Sequence, residues 1–134
     1  MSCVTSWLME AVGIIAAALL GVTALFQISL AGGAPWGAAS WGGRHPGKLP
    51  PSYRIASGVV GVFFYPVVAL VALGAAGLLG DDSDVGGERG LWIITGLFAF
   101  STVINLISPS KVERLWGPVA FALTICFWVL AAGV

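Results

Sequence analysis

The sequence predicts an all-α integral membrane protein, a single domain over residues 1–134 in which four transmembrane helices form a bundle. The first observation is composition: 58% of the 134 residues are hydrophobic and only 9% are charged, whereas a soluble domain carries roughly 25% charged residues. The second is a set of four apolar runs, each within the length of about 17 to 25 residues that crosses a bilayer. Together they exclude soluble enzymes, nucleic-acid-binding proteins and disordered tails.

The four spans are predicted over residues 7–31, 56–80, 90–108 and 115–133. Helix is the only conformation available to them, since an unpaired backbone amide costs several kcal/mol in hydrocarbon and four segments cannot close a barrel. The first run has no basic segment before it and is too long for the core of a signal peptide. We therefore expect it to be a retained helix.

Basic residues divide unequally between the connections. The segments 32–55 and 109–114 hold five of the six, namely Arg44, Lys48, Arg54, Lys111 and Arg114. The segment 81–89 holds four acidic residues and one basic residue. Because Lys and Arg accumulate in cytoplasmic loops, we expect the first two segments to be cytoplasmic. Both termini and the acidic segment are then expected outside, with the protein in the plasma membrane.

Small residues predict how the helices pack, because helices in lipid associate through close backbone approach. On the first helix these residues are Gly13, Ala17, Gly21 and Ala24. On the second helix they are Gly58, Gly61, Ala69, Ala72 and Ala76. Pro66, near the middle of the second helix, predicts a kink that frees a backbone carbonyl.

The fourth helix has a predicted start at Ser110. Ser110 and Glu113 have the spacing of a capping box, in which the serine hydroxyl binds the N–H of Glu113 and the glutamate reaches back to the serine backbone. Glu113 therefore has a structural interpretation beside a ligand-binding or catalytic one.

Polar side chains at membrane depth are costly and typically face the bundle interior. Glu10 is predicted on the same face as Gly13, where a carboxylate could bind a cation or relay protons. The alternative is a carboxylate near a helix N-terminus, stabilised by the helix dipole and by interfacial water.

A second set of polar residues is predicted at one depth, beneath the connection between the first two helices. It consists of Gln27, Arg54, Ser57, Tyr65, Asn105 and Ser108. These side chains form either a ligand-binding site or a set of interhelical hydrogen bonds, which are common in such bundles.

The connection itself, residues 32–55, is long for a helical bundle, where about 2 to 8 residues suffice. It contains Trp36, Trp41 and Arg44, so we expect it to pack against the helix ends or the inner membrane face. It is either a lid over the polar residues and a contact for anionic headgroups, or a simple interfacial anchor. Glu113 and Arg114 complete the candidate ligand-binding residues. The chain's one histidine, His45, has no second ligand nearby, and neither a metal site nor a cofactor is predicted.

The chain resembles, across most of its length, a group of small four-helix bacterial membrane proteins of unknown function, of the actinobacterial type. The likeness is carried by residues 33–37 (Gly-Ala-Pro-Trp-Gly), 41–43 (Trp-Gly-Gly), 46–50 (Pro-Gly-x-Leu-Pro), Arg54, Ser57 and 105–114 (Asn-x-x-Ser-x-Ser-x-x-Glu-Arg). The resemblance implies that the first connection and residues 105–114 belong to one cytoplasmic feature. It implies no activity.

The leading functional hypothesis is a non-enzymatic membrane protein that binds a small amphipathic or lipid-like ligand, or a partner, at its cytoplasmic side. An accessory subunit of a larger membrane complex, or a homo-oligomer, is the alternative from a second class. A third is a membrane enzyme that acts on a lipid or isoprenoid through Glu10 or Glu113. These two carboxylates are predicted on opposite sides of the membrane, which disfavours the enzyme.

Overall fold

A computed structural model describes residues 3–80 and 87–133, and the regular elements within these ranges are all helical. The four long helices are α1 (Cys3–Ala31), α2 (Pro51–Ala75), α3 (Gly87–Leu106) and α4 (Trp116–Gly133). Each is long and apolar enough to cross a membrane, the last when its preceding turn is included. The all-helical class and the four candidate spans are therefore confirmed. Most of the predicted acidic connection, residues 81–86, lies outside the described residues.

The second helix is displaced from its predicted bounds of 56–80. It begins at Pro51, which occupies the first helical turn, where a residue without an N–H group is tolerated. It ends at Ala75, and Gly77 follows with a φ of +80°. A prediction from hydropathy alone misplaces both ends of this helix by about one turn. It leaves out the polar first turn, and it includes the apolar residues after Ala75 although the helix has already ended.

A π-helical turn interrupts α2 at Val60–Phe64. The N–H of Tyr65 donates to the carbonyl of Val60, five residues earlier, and Pro66 follows without an N–H to donate. Such turns occur frequently at functional sites. The helix is therefore irregular just before Pro66, where the sequence predicts a kink.

The four helices do not form a closed ring of contacts. α1 lies between α2 and α4, and α3 packs along α4. Leu20, Phe127 and Leu130, each 0% exposed, lie in the shared apolar core. By contrast, α2 and α3 scarcely touch, and the π turn of α2 makes almost no contact with α3. One side of the bundle is therefore less tightly closed than the others.

The small residues of α1 pack only in part as predicted. Gly13 is buried against Ala72 of α2 and against Ala76, which follows the helix, and Ala24 is also buried. Gly21 is exposed, with no atom near the position of an added Cβ. At about 100° per residue, Gly21 is rotated by roughly 80° from Gly13, whereas Ala24 returns to within about 20° of it.

Gly61, in the π turn, permits the close approach of α2 to α1. A Cβ at this position would lie 2.9 Å from the carbonyl oxygen of Ala24 and 3.1 Å from Cβ of Gln27. Relieving this overlap would require a shift of the backbone, so Gly61→Ala is expected to lower the free energy of unfolding by about 1 to 3 kcal/mol. Thermal unfolding in a mild detergent measures the change.

Gly96→Ala is the matched control, because nothing lies within 4 Å of its added Cβ. Alanine there is expected to leave the unfolding temperature unchanged or to raise it, since glycine in a helix costs about 0.5 to 1 kcal/mol relative to alanine. Equal destabilisation by the two substitutions would contradict the proposed helix contact.

Candidate functional site

The segment 32–50 is folded and covers one end of the bundle. It contains two short 3₁₀ turns, Gly37–Ala39 and Trp41–Gly43. The N–H of Gly37 donates to the carbonyl of Gly47 over 2.8 Å, which closes the segment into a loop. Leu49 is 2% exposed, so the end of the loop is fixed by an apolar contact.

Trp41 anchors this loop to α2. Its Nε1–H donates to the hydroxyl of Ser57 over 2.8 Å, and its ring lies edge-on to Tyr53 at 5.7 Å. Ser57 is 0% exposed. Trp41 has a φ of +51°, a left-handed conformation that costs a non-glycine residue roughly 1 to 2 kcal/mol. These side-chain contacts hold the residue in it.

The connection 107–115, between α3 and α4, also contacts the loop. The hydroxyl of Ser110 donates to the carbonyl of Ala38 and accepts from the N–H of Glu113 over 3.4 Å. Half of the predicted capping box is therefore present. The carboxylate of Glu113 does not reach back to Ser110. It lies beside the Gly42 backbone and the Ser108 side chain instead.

A cavity of about 510 Å³ lies beneath the loop. All four helices line it, and the loop contributes residues 39–42. Most of its surface is apolar, and its largest side chains are aromatic. These aromatic residues are Phe26, Trp41, Phe64, Tyr65, Phe98 and Trp116.

Three lining residues carry buried polar atoms without a partner. In residues 3–80 and 87–133, the buried side-chain atoms that lack a hydrogen bond are Oε1 of Gln27, Oγ of Ser40 and Oε2 of Glu113. All three residues line the same cavity. Ser40 is 7% exposed and Glu113 is 5% exposed. An unsatisfied buried polar group costs about 1 to 3 kcal/mol, so their collection at one cavity indicates a place for a polar ligand group.

Phe26 and Trp116 form a wall of this cavity, with ring centroids 4.7 Å apart. Both also line a second, adjacent cavity of about 570 Å³, where Trp36 lies. The Trp36 ring is parallel to that of Phe26 at 6.2 Å. The predicted residue Trp36 therefore lies on the far side of the aromatic wall from the three unpaired polar atoms.

The first cavity has an opening between α2 and α3. Phe64 of α2 and Ile104 of α3 both line it, yet they are 41% and 43% exposed. Since these helices scarcely touch at this depth, the opening faces the lateral surface of the bundle, where lipid would surround the helices.

Five of the predicted ligand-binding residues are brought together. They are Gln27, Trp41, Tyr65, Asn105 and Glu113, all of which line the first cavity. Asn105 is partly engaged within its own helix, because its amide nitrogen donates to the carbonyl of Ser101 over 2.7 Å.

The other predicted residues have structural positions outside the cavity. Arg54 donates from Nε to the carbonyl of Ala31 over 3.1 Å, at the end of α1. Arg114 donates from Nε to the carbonyl of Ser108 over 2.7 Å. Ser57 is the acceptor for Trp41, and Arg44 is exposed. The arginines do not line this cavity, because Arg54 binds a carbonyl group at the end of α1 and Arg114 binds one just after α3.

Glu10 has the exposed position that the alternative interpretation describes, a solvated carboxylate near a helix N-terminus. Its side chain is exposed, whereas Gly13, one turn later, is buried. It lies near the end of the bundle where Met9 meets Gly133, far from Glu113 at the start of α4. It does not face the interior, since a carboxylate at this helix end is solvated at lower cost outside it.

Several lining residues had no clear signal in the sequence. Phe26 and Trp116 are aromatic residues near predicted helix ends, where aromatic side chains are typical of the membrane interface. Nothing in the sequence therefore indicated that they form a cavity wall. Ser40 stands in a run of small residues with no motif around it. In the described parts of the chain, no group of three His, Cys, Asp or Glu residues could hold a metal ion.

No protein-family model, no curated protein and no solved structure matches this chain. The resemblance to the small four-helix bacterial proteins stays a prediction.

Trp41→Phe tests the anchor of the loop. The substitution keeps an aromatic ring but removes the donor to Ser57, and it leaves a buried hydroxyl without that bond. We expect a loss of about 1 to 3 kcal/mol in the free energy of unfolding and faster proteolysis within residues 32–50. Trp36→Phe is the control, because Trp36 is 51% exposed. An equal effect of both variants would contradict a specific role of Trp41.

Proposed function

We propose that this protein binds a small amphipathic, lipid-like molecule in the cavity between its four helices. The observation that carries the proposal is the position of the three unpaired polar atoms. They belong to residues that line a mostly apolar cavity, which is the arrangement that a ligand with an apolar body and a polar head would complete.

The size of the cavity supports a ligand rather than a few water molecules. Its volume of about 510 Å³ falls in the range of about 300 to 1,000 Å³ that small-molecule sites occupy. A water molecule takes about 30 Å³, so the cavity would hold many, most of them against apolar side chains. The opening between Phe64 and Ile104 gives an amphipathic molecule a route from the bilayer.

The cavity end of the bundle is proposed to face the cytoplasm of a plasma membrane. The basic residues of the loop and of the 107–115 connection support this orientation through the bias of Lys and Arg toward cytoplasmic segments. The ligand would then be taken from the inner leaflet. We also propose that the protein belongs to the group of small four-helix membrane proteins of the actinobacterial type that it resembles.

Cysteine labelling tests the orientation with a residue that the chain already has. Cys3 is exposed and Cys126 is buried. In intact cells, a membrane-impermeant maleimide is expected to label the unmodified protein at Cys3. A Cys3→Ser variant that carries Lys111→Cys is expected to react only after permeabilisation. The reverse pattern would place the loop outside.

A cavity-filling substitution tests ligand binding. Ala120 lines the cavity and is 5% exposed, so Ala120→Leu is expected to place a larger side chain in the ligand's space. After purification in a mild detergent, native mass spectrometry is expected to find a bound small molecule on the unmodified protein. Its occupancy should fall about tenfold in the variant, a cost of about 1.4 kcal/mol.

Ala99→Leu is the matched control, because Ala99 is exposed on α3 and does not line the cavity. It is expected to retain the bound molecule. Loss of the molecule in both variants, or its absence from the unmodified protein, would count against the proposal. A co-purifying protein subunit in its place would favour the accessory-subunit alternative.

A further inference from the structure

We infer that the polar head of the ligand is a protonated amine or another hydrogen-bonding ammonium group. This inference rests on the proposed function and names the chemistry that the same cavity would recognise. Three features of the cavity support it: the kind of polar atoms left unpaired, the carboxyl group of Glu113, and the aromatic side chains of the lining.

The unpaired atoms accept hydrogen bonds. Oε1 of Gln27 is a carbonyl oxygen, Oε2 of Glu113 is a carboxyl oxygen, and Oγ of Ser40 can accept as well as donate. A ligand head that only accepts, such as a phosphate or a carboxylate, would leave two of them unsatisfied. An ammonium group has up to three N–H donors and no acceptor.

One carboxyl group lines the cavity. Glu113 is the one lining residue with a charged side chain in the described part of the chain. The residue is buried, and a cation beside a carboxyl group favours its ionised form. A buried ionised carboxylate needs a cationic partner.

Two arginines of the covering segments bind backbone carbonyl groups, and Arg44 is exposed. Arg114 follows Glu113 in sequence, yet its Nε–H binds the carbonyl of Ser108 just after α3. Arg54 binds the carbonyl of Ala31 at the end of α1. Cations are favourable at helix C-terminal ends, so each arginine has a reason to stay there. The ligand would then provide the cation that pairs with Glu113.

Aromatic rings around the cavity suit the same head group. Trp41, Tyr65 and Trp116 line it together with Glu113, and the faces of such rings attract ammonium groups. The remaining apolar lining, which includes Val119 and Leu123, suits a hydrocarbon tail. The site is therefore matched to a cationic amphiphile.

Three probes with the same tail and different heads test this assignment. They are ω-bromododecylamine, ω-bromododecanol and ω-bromododecanoate, added to the full-length protein in lipid nanodiscs. Bromine quenches tryptophan fluorescence, and Trp41 and Trp116 line the cavity. The saturable part of the quenching gives an apparent Kd for each probe. We expect the amine to bind at least about tenfold more tightly than the alcohol, as a charge-assisted hydrogen bond predicts, and the carboxylate to bind most weakly.

Glu113→Gln keeps the shape of the side chain and removes its charge. The amine is expected to lose about tenfold in affinity, while the affinity for the alcohol is retained. Glu10→Gln is the matched control, because Glu10 is exposed at the other end of the bundle and its loss should change neither Kd. Should Glu113→Gln fail to fold, the comparison of the three probes on the unmodified protein still decides the question.

The outcomes separate this inference from the proposed function. Equal affinities for amine and alcohol, or tighter binding of the carboxylate, would overturn the cationic head group and leave amphiphile binding intact. Absence of saturable quenching by every probe would overturn both, and it would indicate a cavity that holds water only.

Discussion

In hydrocarbon, every polar group that lacks a partner carries a cost that water cannot relieve, and the rest of this structure depends on that constraint. It makes the four spans helical, and it directs hydroxyl groups within them back to their own backbone. Thr23 donates to the carbonyl of Leu19, and Thr102 to that of Phe98, each over 2.8 Å. Against this background of satisfied groups, polar atoms without a partner carry information. They occur at one cavity in the described chain.

The same constraint explains why the loop and the connection 107–115 fold together over one end of the bundle. Each helix end leaves free carbonyl groups, and the segments beside it provide donors for them. Arg54 and Arg114 both act in this way. Ser110 links the connection to the loop through the carbonyl of Ala38. The loop is therefore held by polar contacts with two separate parts of the chain.

Composition and apolar run length were sufficient to predict the helical class and the number of spans, because both follow from the solvent. Gln27, Tyr65 and Asn105 could be placed in the site because polar residues at one membrane depth tend to meet inside a bundle. Arg54 and Arg114 could not be assigned, since sequence does not reveal which carbonyl groups remain free. Glu113 has the spacing of a capping box, and only the folded loop shows that its carboxylate turns toward Gly42.

The placement of Glu113 would link the stability of the loop to the binding of the proposed ligand in the cavity. Its carboxyl group lies beside Gly42 of the loop and Ser108 of the connection, so it contacts both covering segments and the cavity at once. A ligand that pairs with this carboxylate binds the folded protein and not the unfolded chain, and it stabilises the folded state accordingly. The loop is held in place partly by Trp41 in a left-handed conformation, which is intrinsically unfavourable. A bound ligand would therefore stabilise the loop against this unfavourable backbone conformation. The loop would be less stable when the cavity is empty.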